Sequence, residues 1–381
     1  MKMPAESDPV RVDGRMLHVD HLRGLVILGL ILFHTARLFD DDPWHMKDAG
    51  QYLAADILVA VFNVVQMPLL FLLTGLTIHF SLQKRTAGRF VQERGLRLLL
   101  PLVVGILVAV VPQVWVERIA HGLPGRSSPI DFDGGFLAFY PQFFQCCYPA
   151  ANFSWHHLWF LVYLLAYSLA LLPIFLLLRR AIWPKRLAEK LANGFGLCLL
   201  GLPVILAEVA LRRSFPQTHA LIDDWANHAH YGLLILIGWM IAASPLLATA
   251  VKRYGGYFLG AAVLLICLWL GLMLSGIRPT LEIRLILRTA AEWSALLGAL
   301  GVGAAYLNRP LPFLTGFGRL SFPFYIFHQT AIVLLGYLFL AWSEQPLLKF
   351  LAIAGLSFAI SLGLSRLVGT NRITAMLFGM R

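Results

Sequence analysis

His34 is the residue whose type and position most directly suggest acid–base chemistry. It follows Arg23 by eleven residues, close to three α-helical turns, so His34, Arg23 and Asp20 share one helix face. An imidazole inside an apolar helix is costly and usually faces a cavity or a partner. This group therefore predicts a catalytic His34 accompanied by Arg23 and Asp20. A neutral histidine that bridges two helices is the alternative.

Arg94 and Arg97 lie three residues apart, just before an apolar segment. Two guanidinium groups on one helix face suit the oxygens of a phosphate group. The pair is therefore a candidate binding site for a phosphorylated donor. Anchoring of the helix end at the cytoplasmic face of a membrane explains the same residues.

Two further groups combine histidines with other polar side chains. His156 and His157 open an apolar segment, and two adjacent histidines form a poor metal site. Ser321, Tyr325 and His328 follow at i, i+4 and i+7 of a later segment, which places them on one polar stripe. The stripe and His157 are candidate substrate-binding residues, although a structural polar seam fits the same pattern.

Three arginines, Arg37, Arg284 and Arg288, are predicted in the outer halves of apolar helices. Each needs water or an anionic partner there. Positive charge that stays unbalanced would attract an anionic group of a substrate, so we count all three as candidate substrate-binding residues.

The composition is that of a membrane protein. Of 381 residues, 59% are hydrophobic and 13% charged, and the mean hydropathy is +0.73, which excludes a soluble enzyme. The net charge of +11 fits Lys and Arg beside anionic lipid, so membrane lipid is an expected partner and nucleic acid is not. No CxxC or CxxH spacing occurs, and neither a metal nor a disulfide framework is expected.

The apolar segments predict an all-α, polytopic integral membrane protein with about ten transmembrane helices in a single domain, residues 1–381. The predicted spans are 23–39, 53–80, 97–117, 157–178, 194–211, 229–248, 255–275, 284–306, 319–342 and 347–367. Outside them lie an N-terminal segment 1–22, a long outer loop 118–155 and a tail 368–381. The loop is a candidate lid, with a passive surface loop as the alternative.

Lys and Arg concentrate on one side of these spans, which predicts that both termini lie in the cytoplasm. Two local features bear on packing. Pro323 is expected near the start of the ninth helix, and Gly256 and Gly260 are expected to pack one helix against another.

Together these strings resemble the membrane acyltransferase 3 family of bacterial O-acyltransferases. The matching strings, in the family's order, are Arg23 with His34 after ten intervening residues, Arg94 to Arg97, HLWFL from His157 and SFPFYIFHQ from Ser321. The segments 67–75 and 94–101 look most like the glucan biosynthesis protein C type, which is associated with succinylation of osmoregulated periplasmic glucans. His156 beside His157 departs from the pattern and leaves open which imidazole acts.

The resemblance implies a protein of the bacterial inner membrane that moves a short acyl group from cytoplasmic acyl-CoA to a carbohydrate hydroxyl on the outer side. Succinyl-CoA is the favoured donor and acetyl-CoA the second candidate. Arg94 and Arg97 would hold the phosphates of coenzyme A. His34 would act as a general base or carry the acyl group itself. The oligomeric state is left open.

Two further roles follow from the same implied chemistry. Tyr325, His328 or His157 would donate a hydrogen bond to the tetrahedral oxyanion. One of the three intramembrane arginines would pair with the free carboxylate of a succinyl group.

Two other functions fit the sequence. A related enzyme would transfer acetyl to lipopolysaccharide sugar, peptidoglycan, exopolysaccharide or an antibiotic. A proton-coupled secondary transporter would use the buried His34 and His328, although the chain has no internal repeat of the kind such transporters carry.

Overall fold

A computed structural model describes residues 16–123, 125–180, 189–277, 279–342 and 345–380. The predicted all-α class is confirmed, because within these ranges the one β-contact is an isolated bridge between Trp44 and Arg126. Most of the predicted N-terminal segment 1–22 and the last residue of the predicted tail lie outside the described ranges.

Helices occupy every predicted span. They are α1 (Leu17–Ala36), α2 (Leu53–Lys84), α3 (Ala87–Ile119), α4 (His156–Ala170), α5 (Leu172–Arg179), α6 (Gly194–Leu211), α7 (Trp225–Ala243), α8 (Pro245–Leu274), α9 (Leu281–Tyr306), α10 (Pro312–Leu338), α11 (Pro346–Val368) and the short α12 (Arg372–Leu377). Among the described residues, eight of these helices are long and apolar enough to cross a membrane. Helices α4 and α5, bent by 47°, meet the same test only as a pair, which is either a broken ninth span or a re-entrant loop.

Two helices differ from their predicted spans. The sixth predicted span, 229–248, corresponds to α7, which falls outside the eight apolar helices because Asn227, His228 and His230 lie in its first turns. Helix α10 begins at Pro312, so the expectation that Pro323 lies near its start is wrong, and Pro323 is inside the helix. Proline suits the first turn of a helix, and internal prolines are tolerated in membrane helices.

The chain divides into two compact units. The first comprises Met1–Val26, Val64–Ala87 and Ala170–Gly318. The second comprises Ile27–Asn63, Gly88–Leu169 and Arg319–Arg381. Each unit contains buried polar side chains of its own, and each is described separately below.

In the first unit, α8 and α9 pack through glycines. A Cβ atom at Gly255 would lie 2.7 Å from the Cα of Gly301, so the two backbones touch. A Cβ atom at Gly256 or Gly260 would meet no atom within 4 Å, and the prediction that these two glycines pack helices is therefore wrong. One residue turns a helix by about 100°, which moves Gly256 out of the interface that Gly255 occupies.

In the second unit, the long loop after α3 is ordered around a buried arginine. The Arg118 side chain is fully buried; its Nε donates to Asn152 Oδ1 at 2.8 Å and its Nη2 to the carbonyl of Ala151 at 3.0 Å. The side chains of the neighbouring Cys146 and Cys147 are in contact with each other. The loop therefore packs against the end of α3 from which it emerges.

Within the second unit, the C-terminal tail packs against α10. The ring of Phe378 lies 4.9 Å from that of Phe327, and Gly379, at φ 73°, lies beside Phe322. A left-handed φ suits glycine because it has no Cβ atom.

The glycine contact yields the first prediction. Gly255→Ala should lower the free energy of unfolding by about 1–3 kcal/mol, because the new methyl group meets the backbone of α9. Gly256→Ala, the matched control one residue away, should be neutral or stabilising by about 0.5–1 kcal/mol. Thermal and chemical unfolding of the purified protein in detergent measures both. Equal stability of the two variants would contradict the close α8–α9 contact.

Candidate active site

Five residues of the second unit form what we call the histidine cluster: His34, Trp44, His157, Tyr325 and His328. The ring centroids of His34 and His328 are 5.1 Å apart, and those of His157 and His328 are 5.3 Å apart. The Trp44 indole stacks on His34 at 5.9 Å. The Tyr325 ring lies 5.7 Å from both His157 and His328. The structure thus brings together four of the residues selected from the sequence.

His157 is held at both ring nitrogens. Its Nε2 donates to the carbonyl of Ile326 at 3.0 Å, and its Nδ1 faces the side-chain amide of Gln113 at 3.4 Å. The Tyr325 hydroxyl donates to the backbone carbonyl of His157. These bonds fix the orientation and tautomer of the ring. His157 is therefore a rigid part of the cluster.

His34 and His328 differ from His157, because each keeps one buried ring nitrogen without a hydrogen-bond partner in the described part of the chain. These atoms are Nδ1 of His34 and Nε2 of His328. His328 is fully buried, and its Nδ1 donates to the carbonyl of Tyr325 at 2.6 Å, which leaves a lone pair on Nε2. Buried polar atoms are rarely left unpaired, so this pair of nitrogens marks the candidate site.

The loop that follows α1 and carries Trp44 is fixed by buried ion pairs. Arg37 and Lys47 both bind the carboxylate of Asp40, and the Lys47 side chain is 0% exposed. Burial lowers the pKa of Lys47 and raises the pKa of Asp40. Arg37 also binds Asp42 at 3.4 Å. The predicted excess of positive charge at Arg37 is thus balanced within its own loop.

Other predicted residues of the second unit lie at two places. Ser321 is buried on α10, one turn before Tyr325. Arg94 and Arg97 lie in the first turns of α3, where both are half-buried. The Nε atom of Arg97 is buried and has no hydrogen-bond partner among the described residues.

Four predicted site residues belong to the first unit. Asp20 and Arg23 form an ion pair of 3.4 Å on α1. On α9, Arg284 is exposed and Arg288 is half-buried. The catalytic and substrate-binding roles assigned to these four residues stay predictions.

A family model described as an acyltransferase domain matches residues 17–366, nearly the whole chain. The chain belongs to the acyltransferase 3 family. No curated protein and no solved structure gives a significant match. The family match and the apolar helices together make this chain a membrane acyltransferase.

Sequence reasoning missed several polar residues beside the cluster of this acyltransferase. His45 Nδ1 lies 2.8 Å from Glu117 Oε2, and its Nε2 lies 3.0 Å from the amide of Gln329. That amide also donates to Gln113 Oε1 at 3.0 Å. The available signal was the i, i+4 spacing of Gln113 and Glu117 in an apolar helix. His45 sits in a loop and gives no such periodic signal.

A second missed group lies in the first unit of the acyltransferase. The ring nitrogens of His230 on α7 lie 2.8 Å from Glu208 and 2.6 Å from Glu292. Arg212 binds Glu208 through two nitrogens, at 2.9 and 2.6 Å. Two carboxylates balanced by one guanidinium leave one negative charge, which a protonated His230 neutralises. This group ties three helices together through ion pairs.

The ion pairs behind Trp44 yield the second prediction. Lys47→Met should lower the free energy of unfolding by about 3 kcal/mol, because it removes one of two cations from the buried Asp40. Adding Asp40→Asn should restore part of that stability. Chemical unfolding measures both variants, with Lys252→Met on the exposed face of α8 as the control. If Lys47→Met were as stable as the wild type, Arg37 alone would be sufficient to neutralise the buried charge of Asp40.

Proposed function

We propose that this acyltransferase moves a short acyl group, with succinyl favoured, from cytoplasmic acyl-CoA to a hydroxyl of a periplasmic glucan or another extracytoplasmic carbohydrate. The observation that carries the proposal is the pair of buried imidazole nitrogens of His34 and His328 in one cluster, which have no hydrogen-bond partner among the described residues. Ester formation removes a proton from the hydroxyl as the thioester C–S bond breaks, and that proton finally returns to the thiolate of coenzyme A. A positioned base assists this step.

His34 is the proposed base, and His328 is the residue that orients it. The ring centroids of the two histidines are 5.1 Å apart, and the proposed bond between them forms when the rings turn to face each other. Because the N–H of His328 is committed to Tyr325, its Nε2 accepts a bond. A bond from the Nδ1–H of His34 to that atom leaves the Nε2 lone pair of His34 for the sugar hydroxyl. In other pairs of a nucleophile and a base, a third group likewise orients the base through a hydrogen bond.

The tetrahedral oxyanion needs a donor, and the geometry favours Tyr325 among the three predicted residues. The N–H groups of His157 and His328 are committed to backbone carbonyls. The Tyr325 hydroxyl is also bonded, to the carbonyl of His157, but an O–H turns toward a new acceptor by rotation about one bond. We therefore assign Tyr325 as the hydrogen-bond donor to the oxyanion and His157 as a rigid residue that lines the substrate site.

Arg94 and Arg97 are the proposed site for the coenzyme A phosphates. Phosphate groups cannot enter hydrocarbon, so they bind at a membrane surface while the thioester arm reaches inward. The Nε atom of Arg97, which is buried and has no hydrogen-bond partner in the described part of the chain, supports this role because it leaves a donor available. With Arg37 balanced by Asp40 and Asp42, the remaining candidates for a succinyl carboxylate are Arg284 and Arg288.

The base assignment yields the third prediction. Purified protein in nanodiscs should release coenzyme A from succinyl-CoA faster when glucan is present, and His34→Ala should lower this rate about 100- to 10,000-fold. His328→Gln should lower the rate less and change its pH dependence, because the orienting bond to His34 is altered. His121→Ala, at an exposed histidine, is the control.

The outcomes separate the candidate functions. Wild-type turnover in His34→Ala would refute the base assignment. Turnover with acetyl-CoA alone would replace succinyl by acetyl as the group transferred. If neither donor turns over with glucan, other glycans become the acceptor to test. Uptake of solute driven by a proton gradient, without any acyl-CoA, would identify a transporter instead.

The donor site yields the fourth prediction. Replacing both Arg94 and Arg97 by alanine should raise the KM for acyl-CoA about tenfold or more and change kcat little, because charge-assisted hydrogen bonds to the phosphates are lost. Arg89→Ala, whose side chain is 70% exposed on the same helix, is the control. An unchanged KM in the double variant would place the phosphates elsewhere.

A further inference from the structure

Three potential metal ligands from distant parts of the chain meet in the second unit. They are His45 in the loop after α1, Glu117 near the end of α3 and His156 at the start of α4. One ligand atom from each lies within 4.8 Å of the others. The rings of His45 and His156 are 4.5 Å apart, and Glu117 is 0% exposed. We call this group the His-Glu-His site.

Two observations indicate that this site binds a ligand. The Nε2 atom of His156 is buried and has no hydrogen-bond partner in the described part of the chain. The backbone of His156 adopts φ 35°, in the left-handed region that a side chain with a Cβ atom rarely occupies. That conformation turns His156 toward His45 while the next residue, His157, joins the histidine cluster. Strained backbone of this kind concentrates at functional sites.

We propose that the His-Glu-His site binds a single Zn²⁺ ion. Two imidazoles and one carboxylate are a common ligand set of zinc sites that keep a fourth position open. Two ligand atoms on one tetrahedral zinc lie about 3.4 Å apart, a spacing that the three side chains reach with small rotations. Imidazole also selects against Mg²⁺ and Ca²⁺, which prefer oxygen ligands.

The surrounding residues hold the ligands in place. The Tyr148 hydroxyl donates to Glu117 Oε1 at 3.1 Å, and Arg118 lies 3.4 Å from the same oxygen. Oε2 is the oxygen that faces His45, so it is the one left for the ion. The positive charge of the Arg118 guanidinium repels a second cation nearby. The Glu117 carboxylate and the two neutral imidazoles must therefore stabilise the ion by more than this repulsion destabilises it. Hydrogen bonds to the ligands are typical of metal sites.

Zinc binding at His45 requires a change of tautomer. Without the ion, Nδ1 of His45 carries the proton and donates to Glu117, and Nε2 accepts from Gln329. With Zn²⁺ on Nδ1, the proton resides on Nε2 and the ring stays neutral. The Oε1 atom of Gln329 is buried and has no partner among the described residues. A half-turn of the Gln329 amide would bring this oxygen to face His45, where it would accept a hydrogen bond from Nε2–H. The turn gives up the Gln329 bond to Gln113.

Occupancy of this site would link three segments that set the neighbourhood of the histidine cluster. Trp44 stacks on His34 and lies 4.9 Å from the ring of the next residue, His45. A bound ion would therefore fix the loop that carries Trp44. The inference rests on the ligand geometry and stands independently of the proposed acyl transfer.

The test is the metal content of the purified full-length protein. After incubation with ZnCl₂ and desalting, mass spectrometry of the metal should find one zinc per chain. His156→Ala and Glu117→Gln should each weaken zinc binding at least about tenfold. His121→Ala and His34→Ala should keep it, because they lie outside the three ligands. Co²⁺ in place of Zn²⁺ should give the visible absorption of a tetrahedral site.

Several results would overturn the proposal. If the wild-type protein retained no more zinc than Glu117→Gln, the proposed zinc site would not exist. Equal binding by His156→Ala and wild type would place the zinc elsewhere, and loss of zinc in His34→Ala alone would move it to the histidine cluster. The cobalt spectrum of the unaltered protein keeps the test valid if a variant fails to fold, because a purely octahedral spectrum contradicts this site.

Discussion

An imidazole buried among apolar helices must find a partner for each ring nitrogen, and the candidate site of this acyltransferase depends on where that requirement is left unmet. His157 satisfies it through Ile326 and Gln113. His34 and His328, 5.1 Å apart, each leave one nitrogen over. In the proposed mechanism these two nitrogens bond to each other, and the second ring nitrogen of His34 takes the proton of the hydroxyl group.

Holding such a cluster in place requires rigid surroundings, and the ion pairs of the loop after α1 supply them. Asp40 binds Arg37 and Lys47 within the loop after α1, and Asp48 of the same loop binds Lys349 at the start of α11. These pairs fix a segment that has no regular secondary structure of its own. Since that segment carries Trp44, its order decides the position of the indole on His34.

Sequence patterns predicted the features that depend on helical periodicity and missed the contacts made by side chains in loops. Long apolar segments predicted the helices, and i, i+4, i+7 spacing predicted that Tyr325 and His328 share a face. The one-residue error between Gly256 and Gly255 arose because small residues at both positions fit the pattern, and only the partner helix decides. His45 lies in a loop, where no spacing rule reports which helix its side chain reaches.

Two of the buried polar groups among the described residues show why burial by itself does not identify a catalytic site. In the first unit, each ring nitrogen of His230 faces a carboxylate, and Arg212 completes the balance of charge. Such a group is neutral as a whole and offers no position to a substrate. In the second unit, the histidine cluster consists of imidazole and other aromatic rings, and His34 lies beside Trp44 and His328. In the proposed mechanism His34 exchanges a proton with a bound hydroxyl, which is the property that a base requires and a structural ion pair lacks.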